Sequence, residues 1–210
     1  MKSLIFTNGD YGDYGFCKNM KSYDYIICAD NGMKHARHLG IIPNLIVGDF
    51  DSTSQCDLDY FKAKPIPIET LSPIKDETDT EIALDRAITA GAKQVDLYGG
   101  IGTRLDHSLA NVHLLYKALK QGVAATLMNP YNTVRLIDKS IEIEGQVGDI
   151  VSLLPFSAHV LGVNTINLGY PLKEDSLIAG KPLGVSNYML SQKASISIKQ
   201  GLLLIIQARD

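Results

Sequence analysis

Residues 45–52 read LIVGDFDS. An apolar run closes on a glycine, and two aspartates follow one residue apart. A short apolar run bounded by a turn signal has the pattern of a buried strand. Two carboxylates at its exit repel each other unless solvent or a cation offsets the charge. Two readings stand side by side. In one, Asp51 or Ser52 caps the next helix and Asp49 is a solvated loop acid. In the other, Asp49 and Asp51 face one side of an extended backbone, as positions i and i+2 do, and converge on a cation. Hard oxygen donors suit Mg2+.

Outward from this stretch, strand and helix patterns alternate. LIFT (4–7) and YIICAD (25–30) read as strands, and NGMKHARHLG (31–40) as a helix closed by Gly40. STSQCDLDYFKAK suggests a short helix from Ser52 or Thr53. PIPIET (65–70) suggests an edge strand, because proline cannot donate to a ladder. TDTEIALDRAITAG has an apolar face of Ile82, Leu84, Ala87 and Ile88, stopped by Gly91. QVDLYGG (94–100) is a strand ending in two glycines. Leu105, Leu109, Val112, Tyr116 and Leu119 recur at helical spacing up to Gly122, and VAATLM (123–128) is a further strand. Strands separated by helices imply an α/β domain with a mostly parallel sheet.

After NPYNT the grammar changes. TVRLID, SIEIEG, DIVSLLPF, HVLGVNTINL, ASISIKQG and LLLIIQ are short apolar or alternating runs punctuated by glycine, proline and asparagine. They predict an all-β sandwich or barrel. With the boundary near Asn129–Asn132, the expected domains are 1–130 and 131–210.

Bulk properties exclude several classes. The 210 residues are 45% hydrophobic and 20% charged, with a net charge of −3, so the basic excess of a general nucleic-acid binder is missing. No apolar run is long enough to span a bilayer, and MKSLIFTNGD reads as a first strand, not a signal peptide. Cys17, Cys28 and Cys56 are odd in number and scattered, which fits a reducing cytoplasm and neither a disulfide framework nor a zinc cluster.

Ligands of open α/β sheets bind at the carboxyl ends of the strands. CADNG (28–32), GDFDS (48–52), KDETDTE (75–81) and GGIGTRLDH (99–107) all fall at such ends or at the helix starts beyond them. In KDETDTE the helix dipole favours acids, and Thr78 with Glu81 fits a capping box. Asp76, Glu77, Asp79 and Glu81 still outnumber what a cap requires, and Asp79 could complete a carboxylate set with Asp49 and Asp51. In GGIGTRLDH, Gly100 and Gly102 permit close backbone approach to phosphate, and Arg104 adds a planar donor. The alternative is a glycine turn with Arg104 paired to a surface acid and Asp106 supporting the helix. The third glycine of a dinucleotide fingerprint is missing, and no P-loop motif occurs. His35 and His38 read as helix-surface residues. GVSNYM (184–189), taken alone, reads as a turn between strands.

In this order, CADNG, GDFDS, KDETDTE, GGIGTRLDH and GVSNYM resemble the thiamine pyrophosphokinases of bacterial type, over nearly the whole chain. The resemblance implies an α/β domain followed by a β-sandwich. It implies transfer of pyrophosphate from ATP to the hydroxyl of thiamine, giving thiamine diphosphate and AMP. The family's Mg2+-binding acids fall on Asp49, Asp51 and Asp79. Asp30 falls on an acid near the reacting groups, able to orient or deprotonate the hydroxyl. Thr78, Gly100, Gly102, Arg104 and Asp106 fall on ATP-handling positions, and Ser186 and Asn187 on a thiamine-binding loop. That loop serves the partner subunit in the family, so a homodimer is implied. Thr103 stands where many relatives have glycine. A tryptophan that stacks on thiamine in some members has no counterpart, and Tyr188 is a candidate substitute. Two other readings remain: a different Mg2+-dependent phosphoryl or nucleotidyl transferase, and a non-catalytic nucleotide or thiamine sensor.

Overall fold

The computed structural model describes residues 1–18, 20 and 22–209. They form two compact units, Met1–Pro130 and Tyr131–Asp210.

In the first unit the chain runs β1 (Lys2–Phe6), a 3-10 turn (Gly15–Cys17), β2 (Tyr25–Ala29), a second 3-10 turn (Asp30–Gly32) and α1 (Met33–His38). It continues with β3 (Leu45–Gly48), α2 (Gln55–Lys62), β4 (Ile68–Thr70), α3 (Asp79–Thr89), β5 (Gln94–Tyr98), α4 (Leu105–Lys120) and β6 (Ala124–Met128). Every strand pair is parallel, in the order β6-β5-β1-β2-β3-β4. Leu4 of β1 faces Ile26 of β2 on one side and Asp96 of β5 on the other. The proline-flanked strand is at the edge, as its missing donors require.

Parallel strands covered by helices are buried on both faces. Leu4 and Phe6 join Cys28, Ile46, Met33, Ala36 and Phe61 in one cluster. Ile5, Ile27 and Val47, at the intervening positions, are equally buried. Helix α3 packs on β1, β2 and β3 through Ala83, Leu84 and Ala87. From β1 the chain winds outward to β4, then returns to place β5 on the other side of β1. The carboxyl ends of β1 and β5 are therefore the point where strand order reverses, and a ligand crevice opens there in such sheets.

Helix α4 forms where the spacing predicts, but a different face is buried. Ser108, Asn111, Leu114, Leu115 and Ala118 point inward, whereas Leu105 and Leu109 are exposed. Two polar residues on the inner stripe hide it from a hydrophobic pattern. Helix α2 begins later than expected. Its cap is Ser54, whose hydroxyl accepts from the Asp57 backbone N–H at 3.2 Å. The cap reading for Asp51 or Ser52 is thereby overturned.

The second unit contains β7 (Asn132–Ile137), β8 (Ser140–Glu144), β9 (Ile150–Pro155), β10 (His159–Ile166), β11 (Asp175–Ile178), β12 (Asn187–Tyr188), β13 (Lys193–Ser197) and β14 (Leu203–Ala208). They pair antiparallel in two groups, β12-β9-β14-β7 and β11-β10-β13-β8. Val151, Leu153, Leu203 and Ile205 of one group share a buried core with Val160, Val163, Leu177, Ala194 and Ile196 of the other. Alternate residues thus point between two sheets, as in a sandwich. GVSNYM is more than a turn, since Asn187 and Tyr188 form the edge strand β12 against β9.

Candidate functional site

Strand β3 ends at Gly48, before either aspartate. Phe50 has φ 62°, so the segment after the strand turns sharply and is not extended. The Asp51 backbone N–H donates to Asp49 Oδ1 at 3.2 Å across this turn. The i, i+2 geometry expected for the two acids is therefore broken. Asp49 turns into the site, while Asp51 is exposed.

The acids that meet Asp49 come from the neighbouring elements. Carboxylate oxygens of Asp30, Asp49 and Asp79 lie within 4.8 Å of one another. Asp30 follows β2, Asp49 follows β3, and Asp79 opens the helix after β4. Parallel register delivers all three to one edge of the sheet, as three hard oxygen donors of the kind that can hold a divalent cation. Asp30 has φ 47°, a strained backbone for a non-glycine residue, and that strain lies in the site. Gly48 makes room for it, because a Cβ there would stand 2.8 Å from the Asp30 Cα. Ser52 Oγ donates to Asp30 Oδ2 at 2.7 Å and Thr53 Oγ1 to Oδ1 at 3.0 Å. The serine and threonine after GDFD thus fasten one acid-bearing turn to the other.

Lys75 sits among these acids, and the sequence reading passed over it. Its Nζ donates to Asp49 Oδ2 at 3.0 Å and to the Ser72 carbonyl at 3.1 Å. It lies 2.9 Å from Asp79 Oδ1, an ionic contact that misses hydrogen-bond alignment and leaves that buried oxygen without a hydrogen bond. Burial works against the charge of Asp49. The Lys75 ammonium and the Asp51 N–H outweigh it and hold the carboxyl below its ordinary range. Asp79 shifts upward, through burial first and then the charges of Asp49 and Asp30, with Lys75 opposing. Burial also disfavours the Lys75 charge, but its two aspartates more than compensate and raise its pKa. The only signal for Lys75 in the sequence is a single cation opening an acidic run.

The glycine segment lies at the point where strand order reverses. A Cβ on Gly9, after β1, would stand 1.9 Å from the Gly99 carbonyl oxygen, after β5. Two turns on neighbouring strands can approach this closely only because Gly9 has no side chain. The polar residues on the inner face of α4 hold the second turn. Asn111 Nδ2 donates to the Gly100 carbonyl at 2.8 Å. Ser108 Oγ accepts from Gly102 N–H at 3.1 Å and lies within reach of the Gly102 and Arg104 carbonyls at 3.2 and 3.0 Å. Arg104 forks onto Asp106, with Nε to Oδ1 at 3.2 Å, so two expected ATP-handling residues pair with each other at the surface. That guanidinium lowers the Asp106 carboxyl to about 2. Thr78 caps α3, its hydroxyl accepting from Glu81 N–H at 3.1 Å. Glu81 carries its carboxylate to Lys117.

His35 is buried, not on the helix surface. It stacks on Tyr11 with centroids 3.5 Å apart and bonds Tyr14 through Nδ1 at 2.8 Å.

In the second unit, Ser186 has φ 58° and donates its N–H to Ser152 Oγ at 3.1 Å. Asn187 is buried and acts as a clamp. Its Oδ1 accepts from Tyr170 N–H and Tyr188 N–H, each at 2.9 Å, and its Nδ2 donates to the Tyr170 carbonyl at 2.8 Å. Tyr188 meets the exposed Tyr170 edge to face, with centroids 5.6 Å apart.

Residues 16–127 match the family model for the thiamin pyrophosphokinase catalytic domain, and residues 138–203 that for the thiamin pyrophosphokinase vitamin B1 binding domain. A thiamine pyrophosphokinase of Bacillus subtilis is 28% identical over 186 residues, covering 88% of this chain and 87% of its own. The crystal structure of the thiamine pyrophosphokinase from Bacillus subtilis matches with a TM-score of 0.89 and 26% identity over 100% of both chains. That of the Geobacillus thermodenitrificans protein matches with a TM-score of 0.86 and 26% identity, over 100% of this chain and 98% of its own. Each unit carries its own half of one family's architecture, in the family's order, and the chain belongs to the thiamin pyrophosphokinases, which are transferase enzymes.

Proposed function

We propose that the protein transfers a pyrophosphoryl group from ATP to the hydroxyl of thiamine, giving thiamine diphosphate and AMP. The observation that carries this reading, beyond family membership, is the convergence of Asp30, Asp49 and Asp79 at one edge of the parallel sheet. Carboxylates that close are unstable unless a cation compensates them, and the Lys75 ammonium already does so for Asp49 and Asp79. The donor set therefore fits Mg2+, held by Asp49 and Asp79, with Asp51 adding an exposed carboxylate from the same turn. When bound, the ion supplies positive charge against the ATP phosphates.

The chain's own residues do the rest. Asp30, oriented by Ser52 and Thr53, positions the thiamine hydroxyl and accepts its proton as the oxygen attacks the β-phosphorus. AMP leaves with the electrons of the broken P–O bond. Gly100 and Gly102 let the backbone approach the phosphates. Arg104 exchanges Asp106 for a phosphate, a better match for its planar fork. Thr78 stays at the start of α3 beside the nucleotide. Ser186 and Asn187 shape the thiamine loop, Asn187 by clamping Tyr170. The working form is a homodimer with its active site at the subunit interface. The setting is cytoplasmic, supported by three free cysteines and consistent with the finding that no helix among the described residues is long and apolar enough to cross a membrane.

The test is to incubate the protein with ATP, Mg2+ and thiamine and to separate the nucleotides. Thiamine-dependent AMP matched by thiamine diphosphate is expected. ADP as the product would change the reaction. Thiamine binding without turnover would make the protein a sensor.

A further inference from the structure

We propose that Lys75 is a built-in counter-cation, which occupies the carboxylates of the metal site until a divalent ion displaces it and thereby sets the affinity of that site. The proposal rests on the metal reading above and goes beyond it.

An ammonium has three donors. That of Lys75 donates to two oxygens, Asp49 Oδ2 at 3.0 Å and the Ser72 carbonyl at 3.1 Å, and stands in ionic contact with a third, Asp79 Oδ1 at 2.9 Å. Its side chain is only 15% exposed, so protein oxygens have replaced most of its water. Two of the three oxygens belong to the acids grouped as a metal site. Asp30, the third acid, is satisfied differently, by the hydroxyls of Ser52 and Thr53. The lysine therefore compensates the pair that would otherwise face each other uncompensated in a partly buried site.

The same geometry makes occupancy exclusive. A divalent ion bound to Asp49 and Asp79 would stand within a few ångströms of the ammonium, and like charges so close repel strongly away from bulk water. The lysine has somewhere to go. A four-carbon stem carries its charge, and the segment before α3 is open. Ser72, Pro73, Asp76, Glu77 and Thr78 are exposed, and Ile74 is 93% exposed.

The first experiment titrates Mn2+ alone, without nucleotide, into the wild type and Lys75→Met, and records thermal melts of both without metal. The variant is expected to bind Mn2+ about tenfold tighter, the scale of one lost charged hydrogen bond in the competitor. It is also expected to melt lower than the wild type without metal and to recover when Mn2+ is added. Simple structural damage would weaken metal binding, not tighten it. Equal or weaker binding in the variant would overturn the role of Lys75 while leaving the metal site standing. No binding in either protein would overturn both. The second experiment needs no variant. Wild-type lysines are acetylated with and without Mg2+ and read by mass spectrometry. Labelling of Lys75 should rise on adding Mg2+ while that of other lysines stays constant. Unchanged labelling at a Mg2+ concentration that shifts the melt would refute displacement.

Discussion

Asp49 carries more of the site than its place in GDFDS suggests. It touches Lys75, accepts from the Asp51 backbone and borders Asp30 and Asp79. Asp49→Asn keeps the size of the side chain but removes the charge that holds a cation. Thiamine-dependent AMP formation should fall by about a hundredfold or more, on the scale of losing one electrostatic contact to a transition state. Circular dichroism should report an intact fold, and near-normal turnover would sink the assignment. His35 predicts a pH effect on stability. Burial, and then the Lys34 charge, hold its pKa down from 6.5 to about 3. The unfolded chain takes up this proton near 6.5 and the folded one does not, so the contribution is complete above that value and lost as pH falls towards 3. Melting temperature measured from pH 7 to about 4.5 should drop, and less steeply in His35→Phe. Equal slopes would assign the acid sensitivity to other groups.

At the scale of elements, turns after parallel strands carry the proposed chemistry and neighbouring helices hold the turns. Ser108 and Asn111 look like flaws in an amphipathic helix, yet they satisfy backbone groups of the glycine turn after β5. Asn111→Leu would leave the Gly100 carbonyl without its donor. A loss of about 1–3 kcal/mol in urea unfolding is expected. Because the turn is the proposed phosphate cradle, KM for ATP should rise in the same variant. A stability loss with unchanged KM would separate this turn from nucleotide binding. Asn187 repeats the logic in the second unit, where a buried amide fixes the Tyr170 backbone. The edge strand that it opens was invisible in sequence because two residues cannot display a period.

At the scale of the whole molecule, the proposed homodimer has a direct check. Light scattering after size exclusion should give twice the 22.9 kDa of one chain. A fully active monomer would refute it. What the sequence by itself determined is the change from alternating helices and strands to strands alone, and with it an α/β part followed by an antiparallel one. These properties are carried by local patterns of apolar residues and by glycines that stop elements, so they survive without knowledge of any contact. The same holds for the acids at strand ends, since parallel strands bring their carboxyl ends to one edge. Tertiary structure alone decided which acids meet. Asp51 lies two residues from Asp49 yet turns outward at Phe50, whereas Asp30 and Asp79 arrive from distant positions through β2 and α3. It alone decided the buried face of α4, where hydrogen bonds to a loop outrank hydrophobicity. It alone placed Lys75 between two aspartates. Such choices depend on through-space charge and on backbone groups that need partners, and neither has a period that a linear sequence can display.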